Sequence, residues 1–185
     1  MTDRSQLIKL LATRSAKRGQ FILASGKQSD FYIDARLTTM SPEGLSLIGA
    51  IGLSTLRASG WDVDAVGGLT LGADPISYAI SYASSGSNKP IRAFTVRKES
   101  KAHGTKKLIE GPLGEGDHAV IIEDVITTGD SALRAIAAVR NANVSVIGVL
   151  ALVDREEGGR QAIENIGVKV ITLTTTAQIR AVIRE

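Results

Sequence analysis

Apolar and polar residues follow two alternating periods along this 185-residue chain, and the alternation reads as helices interleaved with strands. Residues 3–18 carry Leu7, Leu10, Leu11 and Ser15 on one stripe and predict a helix. Phe21-Ile22-Leu23 and Phe31-Tyr32-Ile33 read as short strands around the turn Ser25-Gly26-Lys27. Ser41 is a good N-cap and Pro42 a good first helical residue. The helix they open has the stripe Leu45, Ile48, Gly49, Gly52, Leu53 and Leu56. Ala65-Val66 reads as a strand end running into the glycine-rich turn Gly67-Gly68-Leu69-Thr70-Leu71-Gly72, with a helix over about 75–84. A strand follows at 91–96, and residues 98–116 are polar and glycine-rich without a sustained period. The remainder alternates again: strand 119–122, helix 131–141, a long apolar strand 144–153, helix 159–165 and a last strand 168–173. Strands separated by helices of this length imply an α/β fold, a parallel sheet covered on both faces. Ligands of such sheets bind beyond the C-terminal strand ends.

Composition narrows the classes. The length fits one domain, and 43% hydrophobic with 22% charged residues is ordinary for a globule. The chain has no cysteine, which excludes disulfides and thiolate metal sites. Its two histidines, His103 and His118, are too few for a histidine-built metal centre. No apolar run approaches a membrane span, and Met1 to Gln6 lacks the apolar core of a signal peptide. The expectation is a cytoplasmic protein. A net charge of +3 suits an anionic small ligand as well as nucleic acid, but 4% aromatic residues argue against a base-stacking surface.

Four segments at expected strand ends carry chemistry. The first is Ala119 to Ser131, where an apolar strand reaches Glu123-Asp124, then the turn Thr127-Thr128-Gly129, then a helix opening at Ser131. Carboxylates suit ribose hydroxyls, while amides and hydroxyls at a helix start suit a phosphate. Neither a Walker loop nor a dinucleotide fingerprint occurs, so neutral donors, Thr127, Thr128, Ser131 and turn amides, would hold that phosphate. The second is Arg97-Lys98-Glu99-Ser100-Lys101-Ala102-His103-Gly104-Thr105-Lys106-Lys107, a basic loop that could close over a polyanion or simply be solvated. The third is Asp154-Arg155-Glu156-Glu157-Gly158-Gly159. There Arg155 could hold a carboxylate bidentately or pair with Asp154, Glu156 or Glu157. The fourth is Gly67 to Asp74, either a close approach for a ligand or a tight strand-to-helix turn.

Together these segments resemble the orotate phosphoribosyltransferases. Val120 to Ser131 is similar to the phosphoribosyl pyrophosphate motif of the type I phosphoribosyltransferase fold, and Arg97-Lys98-x-x-Lys101-x-His103-Gly104 to the catalytic loop of the orotate branch. Asp154 to Gly159 resembles its substrate-carboxylate segment, and Ser25-Gly26-Lys27-x-Ser29-Asp30-Phe31-Tyr32-x-Asp34 its N-terminal hood. The resemblance covers about residues 5–180. It implies a single domain over 1–185, with a mainly parallel central sheet flanked by helices, a hood over about 1–40 and a flexible catalytic loop over about 98–110.

The implied reaction is magnesium-dependent transfer of 5-phosphoribosyl from 5-phosphoribosyl 1-pyrophosphate to orotate, giving orotidine 5′-monophosphate and pyrophosphate in pyrimidine (UMP) biosynthesis. By the same resemblance Glu123 and Asp124 bind the ribose hydroxyls, and Asp124 also faces the developing ring cation. Val125, Ile126, Thr127, Thr128, Gly129, Asp130 and Ser131 cradle the 5-phosphate. Arg97, Lys98, Lys101 and His103 bind pyrophosphate, and Lys98, Lys101, His103 and Asp124 are the catalytic set. Thr127 and Arg155 hold orotate, with Lys27 and Tyr32 as further candidates. Magnesium is expected on pyrophosphate, ribose and water, with no direct protein ligand. The resemblance further implies a homodimer in which the loop serves the neighbouring subunit's site, and no nucleic-acid or membrane partner. Some relatives carry lysine where Ala24 and Gly72 stand here; the chain is also too short for the fused decarboxylase of other relatives, so none is expected. The alternatives are a purine-type phosphoribosyltransferase, which the loop histidine and Arg155 argue against, and a non-catalytic regulator that senses phosphoribosyl pyrophosphate.

Overall fold

The computed structural model describes residues 3–22, 28–99 and 107–183. Helix α1 (Asp3–Arg14) leads into a two-stranded antiparallel hairpin, β1 (Ala16–Ile22) with β2 (Gln28–Ile33). A short helix α2 (Arg36–Thr39) and the long α3 (Pro42–Ala58) follow. Then come β3 (Ala65–Leu69), α4 (Ala73–Ser84), β4 (Arg92–Val96), β5 (Ile109–Glu110), β6 (His118–Ile126) and α5 (Asp130–Arg140). The chain continues through β7 (Ser145–Asp154), α6 (Gly159–Glu164), β8 (Val170–Thr175) and α7 (Thr176–Ile183). The main sheet has the order β5-β4-β3-β6-β7-β8 and is parallel except for β5, which runs antiparallel to β4. No helix among the described residues is long and apolar enough to cross a membrane.

Two apolar layers hold the sheet. One packs Leu7, Leu11, Ile48, Leu56, Ile76 and Ile80 of α1, α3 and α4 against Val66, Val120, Ile122, Leu150 and Leu152. The other packs Ile136 and Val139 of α5 and Ile163 of α6 against Ile121, Val149 and Phe94. Adjacent residues of β6, Ile121 and Ile122, thus serve opposite faces, as the pleat requires. Each fully buried side chain of this size stabilises by roughly 1.5–3 kcal/mol. Helix α3 starts as expected: the Ser41 hydroxyl accepts the Gly44 amide at 3.1 Å, with Pro42 in the first turn.

Four expectations are corrected. The first helix ends at Arg14, not 18, because the chain must pair Ala16 with Ile33 and Lys17 with Tyr32 in the hairpin. Ser15 still belongs to the buried stripe, 2.6 Å from the Thr38 hydroxyl. The glycines Gly67 and Gly68 lie inside β3 rather than in a turn, since a Cβ at either would strike the Phe94 or Ile122 carbonyl. Strand β6 runs through Glu123 and Asp124 to Ile126, because Val125 and Ile126 still pair with Val153 and Asp154. The polar stretch 98–116 includes the edge strand β5, and helices α2 and α7 are additional to the sequence reading.

Helix α7 has a clear cause. The Glu156 carboxylate accepts the Ala177 amide at 3.0 Å, serving the open N-terminus of the helix. Arg180 of α7 then donates to both oxygens of Asp30, at 3.0 and 2.6 Å, and covers the Phe31 ring at 4.3 Å from its centroid. The hairpin is thereby tied to the end of the sheet.

Candidate active site

A cavity of about 620 Å³ opens at the C-terminal ends of β3, β6 and β7. Glu123 and Asp124 form its floor, the turn Thr127–Ser131 one wall and the turn Leu69–Gly72 the other. Tyr32, Asp34 and Arg36 close it from the hairpin side, and Lys98, Arg155 and Glu157 complete it.

The acidic pair is tightly enclosed. Glu123 is 8% exposed, and its Oε2 is buried without a hydrogen-bond partner among the described residues. Burial, reinforced by the neighbouring Asp124, holds the Glu123 carboxyl well above the usual carboxylate range. Asp124 is also raised, by burial first, although the Val125 amide donates to its Oδ1 at 2.9 Å and Arg36 lies close enough to oppose the shift. Gly72 makes room for this carboxylate: a Cβ there would lie 2.5 Å from the Asp124 carboxyl group.

The hydroxyl turn is shaped by Gly129, at φ +87°, which brings the chain into α5. Thr127, Thr128 and Ser131 line the cavity where the α5 amides begin. The Thr128 hydroxyl accepts the Asp130 amide at 3.4 Å. Hydroxyls and a helix N-terminus on one wall suit a phosphate. The turn rests on the one before α6, and a Cβ at Gly129 would lie 2.8 Å from the Gly159 carbonyl oxygen. Gly129 and Ile126 shape this wall without lining it, and the Ile126 side chain is core.

The segment after β7 divides its work residue by residue. Asp154 accepts the Glu156 amide at 2.8 Å and fixes the turn. Arg155, its side chain 6% exposed, donates to Glu157 Oε1 from Nε at 2.9 Å and Nη2 at 2.8 Å. Glu157 is thus the partner among the three acids considered. Longer contacts of 3.4 Å reach Ser29 and the Phe31 carbonyl on β2.

The structure brings Lys98, Glu123, Asp124, Val125, Thr127, Thr128, Asp130, Ser131, Arg155 and Tyr32 to one cavity. Arg97 is turned elsewhere, toward Glu110 at 3.7 Å, and its Nε is buried without a partner among the described residues. Lys27, Lys101 and His103 lie outside the described residues. Sequence reasoning did not assign Arg36. It donates to Asp34 through Nε at 2.8 Å and Nη2 at 3.0 Å and presents a fixed cation to the cavity. The available signal was an acid and an arginine two residues apart just after a strand.

Comparisons with known proteins agree with this geometry. The phosphoribosyl transferase domain family matches residues 58–180. The orotate phosphoribosyltransferase of Aquifex aeolicus is 46% identical over 182 residues, spanning 97% of this chain and 98% of that protein. The Synechocystis orotate phosphoribosyltransferase is 46% identical over 98% of this chain and 91% of its own length. Among solved structures, Mycobacterium tuberculosis orotate phosphoribosyltransferase in complex with 5-phospho-alpha-D-ribosyl 1-diphosphate superposes with a TM-score of 0.81 at 36% identity, covering 97% of this chain and 99% of that one. With its acidic pair, hydroxyl turn and arginine converging as the sequence motifs anticipate, the chain belongs to the orotate phosphoribosyltransferase family, within the phosphoribosyl transferase domain proteins.

Proposed function

We propose that the protein transfers the 5-phosphoribosyl group of 5-phosphoribosyl 1-pyrophosphate to orotate, releasing pyrophosphate and forming orotidine 5′-monophosphate, as a cytoplasmic enzyme of UMP biosynthesis. The observation that carries the reading is the convergence of Glu123-Asp124, the Thr127–Ser131 turn, Lys98 and Arg155 in one cavity.

Displacement at the anomeric carbon passes through an oxocarbenium-like state, as in glycoside hydrolysis. Asp124 is the group to face the ring as it gains positive charge, and Glu123 with Asp124 binds the ribose hydroxyls. The hydroxyls of Thr127, Thr128 and Ser131, with the α5 amides, hold the 5-phosphate. Arg155 takes the orotate carboxylate bidentately, exchanging Glu157 for it. Lys98, joined by Lys101 and His103 from the loop, stabilises the departing pyrophosphate. Orotate that binds as an anion at its ring nitrogen needs no strong enzyme base.

Magnesium is part of this reading. Among the described residues no cluster of three or more His, Asp or Glu side chains could hold a metal. The acidic pair, with an oxygen of Glu123 unpartnered, fits a cation that arrives on the substrate and is met through ribose and water. When bound it neutralises charge on the leaving group. In this reading the hairpin region over about 1–40 is the hood and the segment between β4 and β5 is the catalytic loop, which in a homodimer would serve the neighbouring site.

The test follows orotate absorbance after addition of phosphoribosyl pyrophosphate, with and without magnesium. The expected result is magnesium-dependent loss of orotate matched by pyrophosphate release. Turnover of adenine or hypoxanthine instead, offered in parallel, would remove orotate as the acceptor.

A further inference from the structure

Asp74 has no place in the chemistry above, yet its carboxylate joins three elements around the cavity. It lies in the first turn of α4 and is 9% exposed. Its Oδ2 accepts the hydroxyl of Thr70 at 2.7 Å, and Thr70 belongs to the turn that lines the cavity opposite the hydroxyl turn. Its Oδ1 accepts the hydroxyl of Thr95 at 2.8 Å, on β4, the strand that delivers Lys98 to the site. The Thr70 amide donates to the Val96 carbonyl at 2.8 Å, so turn and strand are joined by main chain as well.

The protons fix the direction of this network. A hydroxyl has one proton to give. Thr95 gives its own to Asp74, so Tyr78, whose hydroxyl lies 2.8 Å from Thr95 Oγ1, must be the donor of that pair. The side-chain hydrogen bonds from Tyr78, Thr95 and Thr70 therefore all run toward Asp74. A carboxylate can accept from both sides at once, which an amide cannot do without reversing one donor. A helix cap would aim its oxygens at its own first amides. Here both oxygens are taken by hydroxyls from the turn and from β4.

We propose that Asp74 is a positioning residue for the pyrophosphate end of the donor substrate. By holding Thr70 to Thr95 it sets the Thr70–Gly72 turn, which packs against Asp124 through Gly72, relative to the strand leading to Lys98, and so sets the spacing between that wall of the cavity and the lysine assigned to the departing pyrophosphate. Arg155, assigned to the acceptor, stands on the far side of β6 and makes no contact with this network. The consequence is selective: loss of the clamp affects the donor and spares the acceptor. The inference rests on the phosphoribosyl transfer reading above.

The test is Asp74→Ala, with KM for phosphoribosyl pyrophosphate and for orotate measured separately beside wild type, and thermal melting followed alongside. Loss of a partner that orients a binding group typically costs about 10-fold or more. The expected result is a rise of that order in KM for phosphoribosyl pyrophosphate with KM for orotate within about twofold of wild type. A folded variant with both KM values unchanged, or with both raised alike, overturns the proposal and leaves Asp74 a structural residue of α4. If Asp74→Ala does not fold, Thr95→Val decides. It removes one arm at nearly constant shape, and an unchanged donor KM there also overturns the proposal. Wild type that turns over no orotate would instead remove the reaction itself, so the two failures are distinct.

Discussion

Glu123 is the residue whose chemistry is most altered by its place. Its carboxyl is raised by burial and by Asp124, so the folded protein keeps a proton there that the unfolded chain releases in the ordinary carboxylate range. The sign follows: below that range the group costs folding nothing, and as pH rises through it wild type loses stability. Glu123→Gln removes this penalty. The Tm advantage of the variant over wild type should therefore grow as pH rises from the ordinary carboxylate range toward neutral. A constant difference across that range would show that Glu123 is not held protonated. The same variant should lose turnover if the pair binds ribose hydroxyls as proposed, and unchanged turnover would remove that role. A residue that weakens the empty fold at neutral pH is the expected mark of a binding site.

At the scale of elements, the glycines set how closely helices and strands approach. Gly49 and Gly52 of α3 face α4: a Cβ at Gly49 would lie 2.7 Å from the Ala79 carbonyl oxygen, and one at Gly52 2.8 Å from Ile80 Cδ1. Gly49→Ala forces α3 away from backbone that cannot yield. It should cost about 1–3 kcal/mol, read as a lower urea midpoint with unchanged slope. Wild-type stability would mean that the helices separate freely. The apolar period of α3 revealed this face, with the glycines on the stripe. The same logic did not reveal β3, where Gly67 and Gly68 resemble turn residues. They are strand residues because Phe94 and Ile122 leave no room for a side chain. Helix α7 escaped for a related reason. It owes its start to Glu156, twenty residues before it and read only as a candidate partner of Arg155.

Across the whole molecule, the order of elements and the identity of the main site were legible because each sits in a contiguous motif. Residues 119–131 contain strand, acids, turn and helix start in one run, and residues 154–159 carry Arg155 with its own partner. What was not legible depends on pairs distant in sequence. Arg36 reaches the cavity only because α2 folds over it, and Asp74 matters only because β4 brings Thr95 beside it. Arg97 illustrates the converse. A motif assigned it to pyrophosphate, but within one chain it turns to Glu110. Service to a neighbouring subunit is testable at this scale. Mixed dimers of Arg155→Ala and Lys101→Ala chains should regain partial activity, because with a loop serving the neighbour one of the two sites then has both Arg155 and Lys101. No recovery in a verified mixed dimer would confine the loop to its own subunit.

The contact between Gly129 and Gly159 has a consequence for how this enzyme can change. The turn proposed for the donor's phosphate and the turn that follows Arg155, the residue proposed for the acceptor, share one seam, backbone against backbone. Neither turn can be lengthened or given bulk without shifting the other. A lineage or an engineer seeking a new acceptor by remodelling the segment after Arg155 would disturb the grip on the sugar phosphate at the same stroke. Exchange of the Arg155 side chain with Gly158 and Gly159 left in place is the route open to new acceptors. Gly129 and Gly159 are expected to be inherited together, as a single trait.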